Sequence, residues 1–466
     1  MSLRAPRIQG FDPAWRRVHL VGIGGAGMSA IARVLVAVGH EVTGSDLRDS
    51  AVLGALRGLG LRLHVGHRAG NVRGADLVVA SAAVPDDNPE VVAARAAGIP
   101  VLSRGEALAR VVQGRRTVAV SGTHGKTTTS GMIATVFMTA GTDPTYLLGS
   151  DLARGGPGGR LGGGDLAVVE ADEAYGSFLW LRPDIGLITN VDADHLDFYG
   201  TMGALEAAFA QFASNTTGAV IVCADDAGSA AVAVGSATRA TYGFAPGAGI
   251  RAEDVVSEAR GSRFRLVVDG VLSVEISLAI AGRHNVLNAL GAAAASLAAG
   301  LTPEQVAEGL AAFRGARRRF EHRGQVGGAD LVDDYAHHPT EIEATLEAAR
   351  SGPWSRIVAV FQPHLYSRTQ ALWREFGVAL SVADVVVVTD VYGAREDPVP
   401  GVTGKLIVES VCEAAPGRKV AYLPKLNEAA RYLRGEVRAE DLILTLGAGD
   451  ITTLHDRLAA DLPGEW

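Results

Sequence analysis

Ser121–Thr129 reads S-G-T-H-G-K-T-T-T and lies between a short apolar run, Thr117–Val120, and a helical pattern. Backbone N–H groups at a helix start lack helical partners and sit at the positive end of the dipole, so such a turn binds anions. Gly122 and Gly125 allow the backbone to approach phosphate closely, and Thr123, His124 and Thr128 belong to the same candidate ATP-binding turn. Lys126 is placed to bridge terminal phosphates, and the Thr127 hydroxyl to bind Mg2+. The spacing is a shortened G-x-x-G-K-T-T, because Val120 stands where the first glycine of G-x-x-x-x-G-K-[ST] would be. The bland alternative is a glycine-rich turn with an exposed lysine.

A second glycine loop opens the chain, within Val21–Asp46. Gly22, Gly24 and Gly27 fit G-x-G-x-x-G after an apolar strand, and the acidic Asp46 follows. That pattern suits a nicotinamide dinucleotide, but a glycine turn before a helix recognises a diphosphate of any origin.

Further polar residues follow strand-like runs. Glu170 ends "DLAVVEAD" and His195 follows "IGLITNVD", both near the phosphate turn and both candidates for a Mg2+ shell, with His195 acting through water because Mg2+ prefers oxygen. His284, Asn285 and Asn288 precede an Ala-rich helix, where they suit either a base edge or a helix cap. "DDYAHHPTE", "QPHLYSRT", "DVYGARED" and "GAGD" follow four apolar runs, so they face one crest of a sheet. There Arg368 suits a phosphate or carboxylate, and Asp333 or Asp334 suits ribose hydroxyls.

The elements that must position these residues alternate between strand and helix patterns along the 466 residues. "VHLVGI", "EVTGSD" and "DLVVASAAV" read as strands around helical segments such as "MSAIARVLVAVG". The alternation starts again at Thr117, and a third time after "FRGARRRFEHRG". The expected fold is α/β with mainly parallel sheets in three domains near 1–113, 114–315 and 316–466: a Rossmann-like domain, a P-loop-type ATPase domain and a second Rossmann-like domain. Arg154–Asp165, rich in glycine, reads as a flexible surface loop without core-forming content.

Hydrophobic residues make up 48% and charged residues 20%, a normal globular balance, and the formal charge of −8 argues against a general nucleic-acid surface. The two cysteines, Cys223 and Cys412, lie in no C-x-x-C or Cys/His cluster and read as small buried apolar side chains. "MSLRAPRIQGFDPAW" has no hydrophobic signal core and no membrane-length apolar stretch is present, so the expectation is a cytoplasmic protein with no membrane insertion.

"VGIGGAGMS", "GTHGKTTT", "EADE", "NVDADHLD", "RHNVLNA", "DDYAHHPTE" and "FQPHLYSRT" occur in that order. Together they resemble the Mur ligase family of peptidoglycan synthesis, over essentially the whole chain from about Val18 to Ile451. The resemblance implies ATP-dependent ligation of L-alanine to the lactyl carboxylate of UDP-N-acetylmuramate through an acyl phosphate. The alternative within the family is addition of a preformed peptide; outside it stands the NAD-dependent dehydrogenase suggested by the opening loop, or a non-catalytic nucleotide-binding regulator.

Carried over by motif, Lys126 would hold the ATP phosphates, and Thr127, Glu170 and His195 would surround Mg2+. His284 and Asn285 would contact the nucleotide, with Asp334 near its ribose. Tyr335, His337, His338, His364 and Arg368 would border the reacting centre and the amino acid. Gly24, Gly25, Ala26, Gly27, Met28 and Ser29 would form the UDP-sugar loop, with Asp46 near the uridine ribose and His67 and Ser81 in later loops. Two positions depart from the family pattern: Ala174 and Tyr175 replace Ser-Asp after "EADE", and Leu365 stands where some relatives carry Arg, a role that would pass to Arg368 or Arg395.

Overall fold

The computed structural model describes residues 9–154, 156–232, 235, 237–258, 261–394 and 396–459. The architecture is three-domain α/β, with three sheets that are mainly parallel. The chain divides into two compact units: Met1–Val255 with Arg263–Leu278 and Val286–Arg314, and Val256–Ser262 with Ala279–Asn285 and Gly315–Trp466. The first unit holds the Rossmann-like sheet and the core strands of the second sheet.

In the first sheet the spatial order is Arg62–Val65, Glu41–Asp46, Arg17–Val21, Leu77–Ala80 and Val101–Ser103, all parallel. Chain direction across the sheet reverses between Arg17–Val21 and Leu77–Ala80, which opens a crevice at their C-terminal ends. The helix Ala26–Val38 follows the first strand and stops at Gly39, whose φ of 102° closes the helix with bonds from Gly39 and His40 to carbonyls of the last turn.

Among the described residues the second sheet has ten strands. At its centre Arg116–Ser121 runs parallel to Ile185–Ile188 on one side and Leu166–Glu170 on the other. Val118, Ala119, Val120, Val168, Val169, Leu187 and Ile188 are all buried, as expected for parallel strands covered on both faces. Three further strands, Ile250–Glu258, Gly261–Val268 and Leu272–Leu278, extend this sheet beyond the repeating pattern read from the sequence.

The glycine-rich stretch 154–165 departs from its expectation. Gly159–Arg160 is a short antiparallel strand against Thr145–Leu147, and Leu161 packs on the core. A Cβ at Gly159 would lie 2.4 Å from the carbonyl oxygen of Ala30, so here glycine serves close packing against the first helix.

The third sheet places Ala329–Asp334, Asp441–Leu446, Arg356–Phe361, Val385–Val388 and Lys419–Tyr422 side by side and parallel, with Glu321–Val326 antiparallel at the edge. The four strands read from the sequence are thus contiguous, and their polar sequels share one crest. Cys223 is buried, and burial pushes its thiol up to about 11. Cys412 is exposed on the helix Gly404–Ala414, which corrects the expectation of two buried cysteines.

Beneath the central sheet Phe178 stacks on Phe212 at 5.3 Å and meets Phe209 edge-on, all three fully buried. Truncation of such a ring leaves a cavity the surrounding structure fills only in part. Phe212→Ala is expected to cost about 3–5 kcal/mol, read from the urea-unfolding midpoint; a loss below about 1 kcal/mol would show that this cluster can collapse.

Candidate active site

The phosphate turn sits where the central sheet changes direction. Gly122 adopts φ 126°, and a Cβ there would lie 2.0 Å from Thr189 Oγ1, so no other residue fits. Gly125, at φ 82°, caps the helix Lys126–Thr139 and leaves no space for a side chain beside Asn288 Oδ1, 2.5 Å from a Cβ. The neighbouring strand braces the turn: Asn190 Oδ1 accepts from His124 N at 2.7 Å, Asn190 O accepts from Thr123 N, and the Thr189 hydroxyl donates to His124 O. Thr127 and Thr128 are buried in the first turn of the helix.

Lys126 Nζ donates to Gly122 O at 2.6 Å, to Thr123 O at 3.0 Å, and to both carboxylate oxygens of Glu173 at 2.8 and 2.9 Å. Burial works against its charge, but Glu173, Asp172 and Glu170 outweigh burial and raise its pKa, so it stays an ammonium. Burial pushes Glu173 up to about 7, with Lys126 opposing and Asp172 adding to the rise. Asp172 is held below the usual carboxylate range: burial resists this, and Arg104, Lys126 and His195 overcome it.

Asp172, Glu173 and His195 offer ligand atoms within 4.8 Å of one another. His195 is held in the left-handed region at φ 57°, as is Tyr175 at φ 55° in the variant segment after "EADE". Glu170 ends its strand as expected, but its carboxylate accepts from Gly149 N at 2.9 Å. Asp172 and Arg104 join the site from outside the set of residues the sequence predicts. The Arg104 guanidinium donates to Asp172 at 2.8 Å and to Ser177, and its Nη1 would be 2.8 Å from a Cβ on Gly27. One arginine therefore links the opening glycine loop to the acidic cluster beside Lys126. It follows a strand, as the other candidates do, but no motif marks it.

In the first sheet Gly24 N donates to Asp46 at 2.9 Å, which ties the glycine loop to the acidic strand end. Gly25 caps the helix, Ala26 is exposed in its first turn, and Ser29 donates to Ala26 O. Met28 is 1% exposed and belongs to the core, so only its backbone faces the loop. Ser81 lies across the crevice against Gly22, 3.0 Å from a Cβ there. His67 bonds Ser45, beside Asp46, through Nδ1 at 3.0 Å.

The second compact unit carries the other candidates. Asn285 Nδ2 donates back to Ala281 O at 2.7 Å, and burial lowers the His284 imidazole to about 4. Asp333 is fully buried and engaged by Thr445, Thr452 and Arg318, which makes it a strut beneath the crest. The guanidinium groups of Arg318 and Arg319 both lie over the Tyr335 ring, at 5.1 and 5.0 Å. His337 meets Tyr335 edge-on, lies 6.1 Å from the His364 ring, and faces Tyr335 O and Glu341 through Nδ1. His364 stacks on Tyr392, and His338 is buried at the cap of Pro339–Arg350. Leu365 takes φ 70° before the helix Tyr366–Leu380, whose first turn carries Arg368. Arg395 lies outside the described residues.

Three family models match consecutive parts of the chain: the Mur ligase family catalytic domain at 17–116, the Mur ligase middle domain at 120–296, and the Mur ligase glutamate ligase domain at 318–449. The UDP-N-acetylmuramate–L-alanine ligase of Kineococcus radiotolerans is 50% identical over 448 residues, covering 94% of each chain. The chain belongs to the Mur ligase family. The ligase of the same name from Nitratidesulfovibrio vulgaris is 46% identical, with 96% of this Mur ligase and 98% of that protein covered. The crystal structure of UDP-N-acetylmuramate–alanine ligase from Thermotoga maritima superposes with TM-score 0.81 at 33% identity, over 95% of this chain and 98% of that one. A murein peptide ligase from Psychrobacter arcticus shares the fold, with TM-score 0.74 at 24% identity and coverage of 96% and 99%. The dinucleotide reading of the opening glycine loop gives way to the family assignment.

Asp334 Oδ2 accepts from Phe320 N and Oδ1 from Ala336 N, both at 2.7 Å. Burial nevertheless raises its pKa from 3.8 to about 6, with Arg319 and those two N–H groups resisting. A raised carboxyl pKa means that the fold favours the protonated form. Asp334 therefore contributes stability that is present below its unfolded pKa and lost as pH rises through its folded value. Asp334→Asn removes that loss, so the melting temperature of the variant relative to the wild type is expected to improve between about pH 4 and about pH 8. A gap that is constant across this range, or that widens against the variant at high pH, would contradict the assignment.

Proposed function

We propose that this Mur ligase joins L-alanine to the lactyl carboxylate of UDP-N-acetylmuramate, converting ATP to ADP and phosphate. The observation that carries the reading is near full-length identity of 46–50% to curated ligases of that name. The murein peptide ligase from Psychrobacter arcticus, at 24% identity, shows a likeness of fold alone. We assign the three sheets to three domains near 1–113, 114–315 and 316–466, binding the UDP-substrate, ATP, and the amino acid with part of the nucleotide. We assign the reaction to the cytoplasm, as suits substrates built on ATP and UDP.

Amide formation from a free carboxylate and an ammonium is uphill in water, so the carboxylate must first be activated. Its oxygen attacks the γ-phosphorus of ATP, ADP leaves, and an acyl phosphate forms. The alanine amine then attacks the acyl carbon, and inorganic phosphate leaves from the tetrahedral intermediate. The first step brings two anions together. Lys126, at the helix N-terminus, supplies fixed positive charge where negative charge builds.

Asp172 and Glu173, with His195 through water, form an oxygen-rich donor set that fits Mg2+, and Thr127 and Glu170 complete the candidates around it. Mg2+ bound there would screen the phosphate oxygens. His337 is the favoured base for the amine among the candidates: its Nδ1 faces two oxygens and so carries the proton, which leaves Nε2 with a lone pair. Arg368 is assigned to a carboxylate or phosphate, and Tyr335, His338 and His364 to the walls of the amino-acid site.

Removing one preorganised charge stabiliser raises a barrier by about 3–4 kcal/mol. Lys126→Ala is therefore expected to lower turnover at least about 100-fold in a coupled ADP-release assay; near-normal turnover would remove Lys126 from the mechanism. In the same assay, UDP-N-acetylmuramate with L-alanine is expected to release ADP. Release with a preformed tripeptide and none with L-alanine would overturn the substrate assignment.

A further inference from the structure

Glu90 is completely buried in the Rossmann-like domain, far in sequence from the glycine loop it lies near. It opens the helix Pro89–Ala96, where its N–H is capped by Asn88. Its carboxylate collects donors from separate elements. Ser45 O–H and His19 Nε2 reach one oxygen, from two adjacent strands. Asn71 Nδ2 and Arg68 N reach the other, from the loop beyond the third strand. Burial opposes the charge, but these bonds prevail and hold the pKa at about 2, so the group is an acceptor only.

That fixes the protons around it. Ser45 spends its hydroxyl hydrogen on Glu90, so its oxygen is left to accept. His67 Nδ1 stands 3.0 Å from that oxygen and 3.4 Å from the Glu90 carboxylate. Facing two acceptors, Nδ1 must carry hydrogen, and in the Nδ1–H tautomer the lone pair is at Nε2. Nε2 has no hydrogen-bond partner among the described residues, and the ring is about 10% exposed. The adjacent Gly66 N donates to Asp46 O at 2.7 Å, which places His67 on the Asp46 side of the glycine loop.

We propose that Glu90 is a positioning residue for nucleotide recognition: through Ser45 it holds His67 in the Nδ1–H tautomer, so that Nε2 accepts a hydrogen bond from a donor of the uridine, either a ribose hydroxyl or the uracil N3–H. The inference rests on the reading of this loop as the UDP-substrate site. A contact to N3–H would also discriminate against cytosine, whose ring presents a lone pair at that position, because two acceptors repel; a contact to the ribose would not.

The test uses the full chain with UDP as the calorimetric probe. Wild type is expected to bind UDP, and Glu90→Gln to bind it about tenfold more weakly while its KM for ATP is unchanged. Equal UDP affinity in the variant would overturn the inference and leave the substrate reading standing; no UDP binding by wild type would overturn both. Nitrogen-15 NMR of wild-type His67 provides a readout independent of whether the variant folds: the Nδ1–H signature supports the relay, and the Nε2–H signature refutes it. Weaker binding of 2′-deoxy-UDP or 3′-deoxy-UDP assigns the donor to the ribose, and weaker binding of 3-methyl-UDP assigns it to the base. Full affinity for all three analogues would refute the contact.

Discussion

A single buried ammonium organises the centre of the second sheet. Lys126 is held by the carbonyls of its own turn and by Glu173, within a sheet crest that also carries Asp172 and Glu170. An uncompensated charge at that depth would be expensive, and each carboxylate beside it would be more so without the lysine. The turn that holds Lys126 is in turn set by Gly122, whose conformation and contact with Thr189 exclude any side chain. The strand partner, the glycine, the helix start and the charge cluster therefore stand or fall together.

The same device recurs in the other sheets with different chemistry. Parallel strands end at a common crest, and the polar turns that follow them meet there. In the first sheet the crest carries Gly24, Asp46 and Ser81, backed by Glu90 and its buried donors. In the third it carries Tyr335, His337, His364 and Tyr392, with Asp333 tying the strand ends below. Fold and site are one problem here, because the strand order decides which loops become neighbours.

What was legible in the sequence was local. The phosphate turn announces itself through two glycines, a lysine and two threonines between a strand and a helix, and the four apolar runs of the third domain place their polar sequels on one side. What was hidden depends on contacts distant in sequence. Glu90 meets Ser45 and His19 across 45 and 71 residues, and on a short helix it reads as an ordinary solvent-facing acid. Arg104 reaches Asp172 across 68 residues, again with no motif. Gly159 looked like loop composition because glycine marks both mobile turns and close packing, and only the position of Ala30 separates the two. Met28 sat inside a binding motif, but the helix turned its side chain to the core.

The central claim is that charge fixed around Lys126 allows a carboxylate to attack ATP, so that an acyl phosphate precedes the amide. UDP-N-acetylmuramate labelled with oxygen-18 in its lactyl carboxylate tests this most directly, with mass analysis of the phosphate released on addition of L-alanine. The account predicts that one labelled oxygen passes from the carboxylate into inorganic phosphate at each turnover. Phosphate released without label, while the amide forms, would contradict it.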